Sequence, residues 1–412
     1  MSATLSAQPP RLASYSLFAA VLSGAGLPIY IYAPKFFADT YGISLATLAA
    51  VLFALRLFDV IQDPFLGWVS ERLGAARSWA VAAGGGVLAL SMLGLFAISA
   101  PISPIVWFAL TITLLFSAFS FLTINFYAQG VETAGHVDGG HTRLAAWRET
   151  GALLGVCVAA VTPALLVGVV DTPFAVFAWG FATVTCLAVL AMTPEWSGTV
   201  TRAPTAIRTI LSDKVARRLL TLALVNATPL AVSSTLFLFF VESRLQAPGW
   251  DGPLLVLFFL AAALSAPIWA RLANRYGEKN TLLAAMVLAV AAFGFVLTLG
   301  AGDAWVFAGI CIASGATIGA DLTLLPAMFA RRMAEISPSG GQGFGLWSLV
   351  SKFTLAFAAV ILLPILDYVG FASGSVENSE SALKTLTYLY ALLPCALKLV
   401  AIALLSATEL KE

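Results

Sequence analysis

The sequence predicts an all-α membrane protein with twelve transmembrane helices in two six-helix bundles. Of its 412 residues, 60% are hydrophobic and only 10% are charged, and the mean hydropathy is +0.94. Soluble domains are about half apolar and about a quarter charged, so a soluble chain would expose too much apolar surface. The net charge of +1 argues against a nucleic-acid partner. No nucleotide-binding motif appears, so we do not expect an ATP-driven pump. We expect a transport protein and not an enzyme.

Twelve apolar segments are each long enough to cross a bilayer, which takes about 20 residues. The first is too long for a cleaved signal peptide and is interrupted by Pro28. The segments divide six and six, which predicts an N-terminal bundle (1–193), a central cytoplasmic loop (194–216) with a short surface helix at 205–212, and a C-terminal bundle (217–412). The predicted spans are 14–37, 44–66, 79–99, 104–127, 143–167, 174–193, 217–241, 252–273, 280–300, 304–327, 343–366 and 384–406.

The distribution of Lys and Arg predicts the orientation of these spans. Of the 22 basic residues, fifteen fall in the termini and one set of loops, and three fall in the opposite loops. Cytoplasmic loops carry the excess of positive charge, so both termini are expected in the cytoplasm. We expect a monomer in the plasma (inner) membrane, surrounded by lipid.

The two halves match each other at a constant offset of 203 residues. Pro64 and Gly74 recur as Pro267 and Gly277, and the arginine before each glycine recurs as well. A shared offset across several elements predicts two bundles related by a pseudo-two-fold axis along the membrane normal.

Helix two carries the most specific feature of the chain. At 100° per residue, Arg56, Asp59 and Asp63 lie within about 60° of one another on an otherwise apolar helix, with Gln62 at the edge. Two carboxylates one turn apart in a low dielectric repel each other and titrate as a coupled pair. A bound cation or Arg56 relieves that cost, and Asp59, Gln62 and Asp63 offer the oxygen ligands that hard cations prefer. The alternative is a static salt bridge between helices.

The carboxylate pair is absent from the second half of the chain. The 203-residue offset places Ala262 and Ala266 at the positions of Asp59 and Asp63. A pair needed only for the architecture would be expected in both halves, which favours a Na⁺ or proton site.

Five further charges fall inside predicted spans. Glu149 and Lys352 share the 203-residue offset, so we expect them to face each other across the cavity. Arg148 and Lys352 suit binding of a solute or carboxylate, although internal charge balance is the alternative, and Asp321 is expected to take part in coupling. Lys398, near the end of helix twelve, is expected to extend its amine to the membrane surface. Four acids then face three bases, which leaves one carboxylate in excess.

Three motifs resemble a known family. The pattern Arg-x-x-Asp-x-x-Gln-Asp-Pro-x-x-Gly at 56–67 is similar to that of the glycoside–pentoside–hexuronide:cation symporters, the melibiose-permease group. The segment 140–148 resembles the loop 4–5 of that family, and Lys352 falls where the family has a lysine. The segment 67–74 resembles the loop 2–3 signature of the major facilitator superfamily, with Glu71 at the usual aspartate. The resemblance implies the major facilitator fold and cation-coupled transport.

The resemblance also implies roles for single residues. The family's cation ligands map onto Asp59, Gln62 and Asp63, and Thr123 can replace a helix-four threonine that aligns with Phe121. The sugar-contacting arginine of helix five maps onto Arg148. Two sugar-binding aspartates are not kept, because one aligns with Ser23 and the other near Asn125. The remaining candidates for solute contact, with packing left open for the two tryptophans, are Asn125, Tyr127, Tyr30, Ser23, Trp147 and Trp347.

The sequence therefore predicts a secondary symporter that moves a small organic, sugar-like solute with Na⁺ or H⁺ by alternating access. The coupling ion is the only cofactor expected, and no metal beyond a possible Na⁺ is expected. An alternative is a transporter of a lysolipid or another anionic amphiphile, because the sugar-binding acids are missing while Arg148 and Lys352 remain. A second alternative is a non-transporting membrane assembly factor.

Overall fold

The structure, a computed structural model, describes residues 11–137, 140–196, 205–337, 339–371 and 378–408. Within these ranges the side chains of a few helical residues, including Tyr30 and Arg56, lie outside the description. The described residues are predominantly helical and form no β-strand. The predicted fold class is therefore confirmed as the twelve-helix, two-bundle architecture.

The N-terminal half contains seven helices that make six membrane crossings. Pro104 and Pro173 each begin a helix, where their missing N–H has no partner to lose. The helices are α1 (Leu12–Gly24), α2 (Leu27–Tyr41), α3 (Leu45–Arg72), α4 (Arg77–Phe96), α5 (Pro104–Thr133), α6 (Gly140–Leu166) and α7 (Pro173–Trp196).

The C-terminal half repeats this order after the short helix α8 (Ile207–Ser212), which lies inside the predicted 205–212. The carboxylate of Asp213 accepts a hydrogen bond from the backbone N–H of Ala216 and so caps the next helix. The helices are α9 (Lys214–Phe239), α10 (Asp251–Tyr276), α11 (Glu278–Gly294), α12 (Ala304–Ile336), α13 (Gly341–Tyr368), α14 (Glu380–Thr387) and α15 (Leu393–Ser406). A π-helical turn, Tyr388–Leu392, joins α14 to α15.

Nine helical segments of the described ranges are long and apolar enough to cross a membrane by length and composition alone. The other three crossings are made by α1 together with α2, by α3, and by α13. The predicted first span, 14–37, is divided at Ala25 and Gly26. Pro28 has no N–H to donate to the carbonyl of Gly24, so a helix cannot continue through this point without a defect.

The two halves meet along two helix pairs. In one pair α3 packs against α13, and in the other α10 packs against α6. Because α3 and α10 are related by the 203-residue offset, as are α13 and α6, each half supplies the same two helices to the interface. This arrangement agrees with the predicted pseudo-two-fold relation.

Candidate ion and solute site between the halves

The most closely packed contact between the halves is the α3–α13 seam. Residues four apart lie on one face of a helix, and α13 runs antiparallel to α3, so the two faces pair residue by residue. The seam consists of Asp59, Asp63, Gly67 and Glu71 on α3 and of Gly341, Gly345, Ser348 and Lys352 on α13.

Glycines bring the two backbones together in this seam. A Cβ atom at Gly67 would lie 2.7 Å from the carbonyl oxygen of Gly341, and one at Gly345 would lie 3.0 Å from the carbonyl oxygen of Asp63. Both neighbours are backbone atoms that cannot rotate away. The absence of side chains here therefore allows the polar side chains further along to reach the opposite helix directly.

Lys352 of the C-terminal half enters the carboxylate pair of the N-terminal half. Its Nζ lies 2.9 Å from Oδ2 of Asp63 and 3.5 Å from Oδ2 of Asp59, and it donates to Oγ of Ser120 at 2.5 Å. Ser348 donates its hydroxyl to Oδ2 of Asp63 at 2.6 Å. Both carboxylates are fully buried, so the ammonium is charge-paired with them in a low dielectric.

Gln62 and Thr123, the other predicted cation ligands, lie on α3 and α5. Gln62 donates its amide to Oδ1 of Asp59 at 2.8 Å and accepts from the hydroxyl of Ser117 at 3.1 Å. Thr123 lies further along the same α5 helix, and its hydroxyl makes no hydrogen bond to the described residues. α5 therefore contributes Ser117 and Ser120, which the sequence reasoning did not select. Their spacing of three residues, which places both hydroxyls on one face of an apolar helix, is the sequence feature that could have identified them.

A second buried charge cluster lies on α5 and α6. Arg148 pairs through Nε with Oε1 of Glu149 at 2.9 Å, and Tyr127 donates its hydroxyl to the same oxygen at 3.1 Å. The guanidinium carbon lies 3.7 Å from the centre of the Tyr127 ring, a cation–π geometry. Nη2 of Arg148 is buried and has no hydrogen-bond partner among the described residues. Phe344 of α13 packs on Tyr127 with ring centres 5.2 Å apart.

Glu149 and Lys352, expected to face each other across the cavity, each pair with a different residue. The offset places both residues on the same face of equivalent helices, but that face packs against α10 in one case and against α3 in the other. Glu149 therefore pairs with Arg148, and Lys352 pairs with Asp63.

The expectation for Lys398 is also wrong. Its Nζ is buried and bonds to a carboxylate oxygen of Asp321 and to Oδ1 of Asn226. The side chain stays inside the bundle because α12 and α9 offer it two acceptors. Asp321 thus lies in a third cluster in the C-terminal half, and counting Lys398 brings the intramembrane acids and bases to four each.

Two of the predicted solute contacts, Asn125 and Trp347, are engaged within the protein in this conformation, and a third, Trp147, is partly exposed. Asn125 accepts from the hydroxyl of Ser70 and donates to the carbonyl of Phe121, both at 2.8 Å, so its amide is used within the bundle. Trp147 is 43% exposed. Trp347 packs on Phe329 with ring centres 4.9 Å apart.

The last two predicted solute contacts lie in the first span. Ser23 belongs to the last turn of α1, where its carbonyl accepts from the N–H of Gly26 at the helix break. Tyr30 lies in α2, and Arg56 of the ion-site stripe lies in α3, but both side chains fall outside the described part of the structure.

Glu71 joins the two halves at one end of the seam, the end that lies toward the loops rich in Arg and Lys and that we call the arginine-rich end. Its Oε1 accepts from the backbone N–H of Gln342 and from the hydroxyl of Ser339, both at 2.9 Å, and its Oε2 accepts from the backbone N–H of Thr205 at 2.9 Å. A carboxylate at a helix N-terminus is favoured by the helix dipole. Glu71 of one half therefore caps α13 of the other half and holds the two bundles together at this end.

Paired six-helix halves with buried ionisable clusters at their interface define a membrane transporter of the major facilitator superfamily. The chain belongs to the family described as MFS/sugar transport protein, whose model matches residues 13–412. The protein is a transporter and not an enzyme. No curated protein matches the sequence.

Solved structures share the fold at low sequence identity. A bacterial homologue of the iron transporter ferroportin in an outward-facing state has a TM-score of 0.72 at 15% identity, covering 96% of this chain and 99% of that one. The same homologue with soaked iron has a TM-score of 0.68 at 14% identity, covering 97% and 100%. The human organic anion transporter MFSD10 (TETRAN) has a TM-score of 0.63 at 17% identity, covering 94% and 98%.

Proposed function

We propose that the protein is a cation-coupled symporter that moves a small organic, sugar-like solute together with Na⁺ or H⁺ by alternating access. The observation that carries the proposal is the insertion of Lys352 of one half between Asp59 and Asp63 of the other. The family description supports a sugar-like solute. Membership of a transport family also favours transport over a non-transporting assembly factor.

Lys352 acts in this proposal as a substitute cation. Removing its ammonium without replacement leaves a buried carboxylate uncompensated, which costs about 3–5 kcal/mol. An incoming Na⁺ or proton at Asp63 avoids that cost but leaves the ammonium of Lys352 buried without its partner. The ion alone therefore does not allow the site to close around it.

The solute provides the new partner that the ammonium of Lys352 needs once a cation has replaced it at Asp63. A sugar hydroxyl or a carboxylate placed beside Lys352 offers the ammonium a new acceptor, and Nη2 of Arg148, in the cluster on α5 and α6, is a second buried donor without an acceptor among the described residues. Buried donors without acceptors are costly, so the closed, loaded state requires both ion and solute. The empty carrier closes with Lys352 on Asp63, which permits its return.

The orientation follows from the charge of the loops. The end closed by Glu71 is the end rich in Arg and Lys, which we assign to the cytoplasm of the plasma (inner) membrane with both termini on that side. In this conformation the halves are therefore joined at their cytoplasmic ends, and the α3–α13 seam must separate for the solute to be released inward.

Uptake by the purified protein in proteoliposomes tests the proposal. Solutes chosen from a thermal-shift screen of sugars, sugar acids and lysolipids are offered with an inward Na⁺ gradient, a proton gradient or neither. We expect accumulation only with a cation gradient, and loss of that dependence in Asp63→Asn. The matched control is Asp321→Asn, which makes the same change at the buried ion pair with Lys398. This pair lies within the C-terminal half and not at the α3–α13 seam, so the proposal does not need Asp321 for coupling, contrary to the expectation from the sequence, and the variant should retain ion dependence. Equal uptake with and without gradients in the wild type contradicts the proposal, and accumulation of a lysolipid but no sugar selects the amphiphile alternative.

A further inference from the structure

A group of basic side chains lies at the arginine-rich end of the C-terminal half, where α9 begins. Lys214, Arg217 and Arg218, which we call the α9 cations, are all exposed, and their spacing of three and four residues places them on one face of the helix. They lie at the first positions of a helix that is long and apolar enough to cross a membrane. The three side chains therefore lie at the level of the lipid headgroups.

The ends of two other helices meet the α9 cations. Nη1 of Arg218 donates to the carbonyl of Ala407 at 3.4 Å, at the end of α15. The ammonium of Lys279, at the start of α11, donates to the carbonyls of Ser406 and Thr408 at 3.0 and 2.8 Å. Because residues 406–408 are consecutive, Arg218 and Lys279 approach the same turn of the chain. We call this meeting point of α9, α11 and α15 the basic corner.

The acids next to the basic corner are engaged with other bases. Asp213, which precedes the α9 cations in the sequence, bonds through both carboxylate oxygens to Arg332. Glu278, at the start of α11, accepts from Arg331 at 2.7 Å. Within the described ranges, no carboxylate forms an ion pair with an α9 cation. The charge of these three side chains therefore suits an anionic ligand.

The two arginines have donors that the described residues do not use. A guanidinium carries five N–H groups. One nitrogen of Arg217 donates to the carbonyl of Leu211 at 3.2 Å, and one nitrogen of Arg218 donates to the carbonyl of Ala407. The planar guanidinium matches the oxygens of a phosphate, so the remaining donors suit a phosphate group.

The N-terminal half lacks the two arginines. The 203-residue offset places Ser14 and Tyr15 at their positions. The same offset places Ala76 at the position of Lys279. Charges needed only for the architecture would be expected in both halves, so their restriction to one half favours a binding role.

Exposed apolar side chains continue from the basic corner into the membrane. Leu399 and Val400 of α15 and Val287 and Leu288 of α11 are each more than half exposed. At 1.5 Å per residue, Leu399 and Val287 lie about 12 Å inward from the corner, within the half-thickness of the hydrocarbon core, about 15 Å. A ligand with an anionic head and long apolar chains matches both surfaces.

We propose that the basic corner binds an anionic phospholipid, whose phosphate accepts hydrogen bonds from Arg217 and Arg218 while its acyl chains lie along α11 and α15. Basic side chains next to a membrane-spanning helix attract anionic headgroups in this way. The site is separate from the α3–α13 seam and does not depend on the proposed symport.

Native mass spectrometry of the full-length protein in detergent tests the site. The protein is offered equal amounts of phosphatidylglycerol and phosphatidylcholine with the same acyl chains, and we expect it to retain phosphatidylglycerol preferentially. Arg217→Gln with Arg218→Gln should lower the affinity for this lipid about 10- to 30-fold, since each cation contributes a factor of about five. The control, Arg72→Gln with Arg271→Gln, removes the same charge from exposed arginines of α3 and α10 and should leave the affinity unchanged.

A second variant guards against a folding defect, because Arg218 also bonds to the end of α15. Lys214→Gln with Arg217→Gln leaves that bond intact and should also weaken the binding of phosphatidylglycerol. Equal retention of the two lipids by the wild type, an unchanged affinity in both corner variants, or an equal loss in the control each overturns the proposal. The readout is lipid binding and not uptake, so these outcomes are separate from the test of symport.

Two other occupants of the basic corner are distinguished in the same experiment. Displacement of phosphatidylglycerol by inorganic phosphate would identify a site for a soluble anion. Residues 409–412, which lie outside the described part of the chain, contain two glutamates. Binding of the lipid only after deletion of 409–412 would identify the end of this chain as the occupant. Either result overturns the proposal.

Discussion

Substitution of Gly67 by alanine should push the two halves apart at the arginine-rich end. The added methyl carbon would lie 2.7 Å from the carbonyl oxygen and 3.2 Å from the carbonyl carbon of Gly341, both of them backbone atoms. Ordinary van der Waals contact begins at 3.4 Å, so α3 and α13 must separate by about 0.7 Å to admit it. Overpacking of this kind costs about 1–3 kcal/mol. The cost falls only on the closed state, so the ratio of open to closed protein should rise by about 5- to 150-fold.

Distances between spin labels measure this shift. Labels on cysteines placed at Ala75 and Tyr276, two exposed positions at this end in opposite halves, report the separation, with the exposed Cys186 replaced by serine. Gly67→Ala should increase the population of long distances. The control Gly86→Ala makes the same change in helix propensity in α4, where the new methyl group meets no described atom within 4 Å. Identical distance distributions in Gly67→Ala and the wild type would refute the close packing assigned to the seam.

Three further predictions concern single charges. Lys352→Met should lower the free energy of unfolding by about 3–5 kcal/mol because it leaves the buried carboxylate of Asp63 without its charged partner; an unchanged free energy in detergent unfolding experiments counts against the ion pair. Glu71→Gln should destabilise the closed state at the arginine-rich end by about 1–3 kcal/mol, which the spin labels would report as a larger population of long distances. Unchanged distances would show that the carboxylate does not stabilise the contact between the halves. The hydrogen bond from Arg332 holds the pKa of Asp213 below its usual value, so this carboxylate stabilises the fold above about pH 4 and loses that effect as the pH falls further. Asp213→Asn should lower the melting temperature at pH 7 and by progressively less as the pH falls below about 4, and a difference independent of pH contradicts the assignment.

Helix two shows how far the sequence could be interpreted alone. The spacing of Asp59 and Asp63 is enough to place both carboxylates on one helical face, and a charge in the bilayer needs a partner. Periodicity does not tell which helix covers that face. Lys352 is 289 residues away from Asp63 in sequence, and only the packing of α13 against α3 identifies it as the partner.

The internal repeat predicted the fold better than it predicted the contacts. It related α3 to α10 and α6 to α13, as observed. The repeat gave a wrong expectation for the partner of Glu149, because the two equivalent helices, α6 and α13, pack the same face against different helices. Lys398 was misassigned because its position near a helix end suggested an escape to the surface, whereas Asp321 and Asn226 hold it inside. Such buried pairs depend on the distance between helices, which composition and hydropathy do not encode.

Cation-dependent thermal stability tests most directly whether an ion takes the place of the Lys352 ammonium on Asp63. The melting temperature of the wild type is measured in NaCl and in choline chloride of equal ionic strength, at pH 6 and pH 8, alongside Asp63→Asn. We expect Na⁺ or the lower pH to shift the melting temperature of the wild type, and we expect Asp63→Asn no longer to respond. A wild type insensitive to both Na⁺ and pH, or an Asp63→Asn variant that responds as the wild type does, would contradict this expectation.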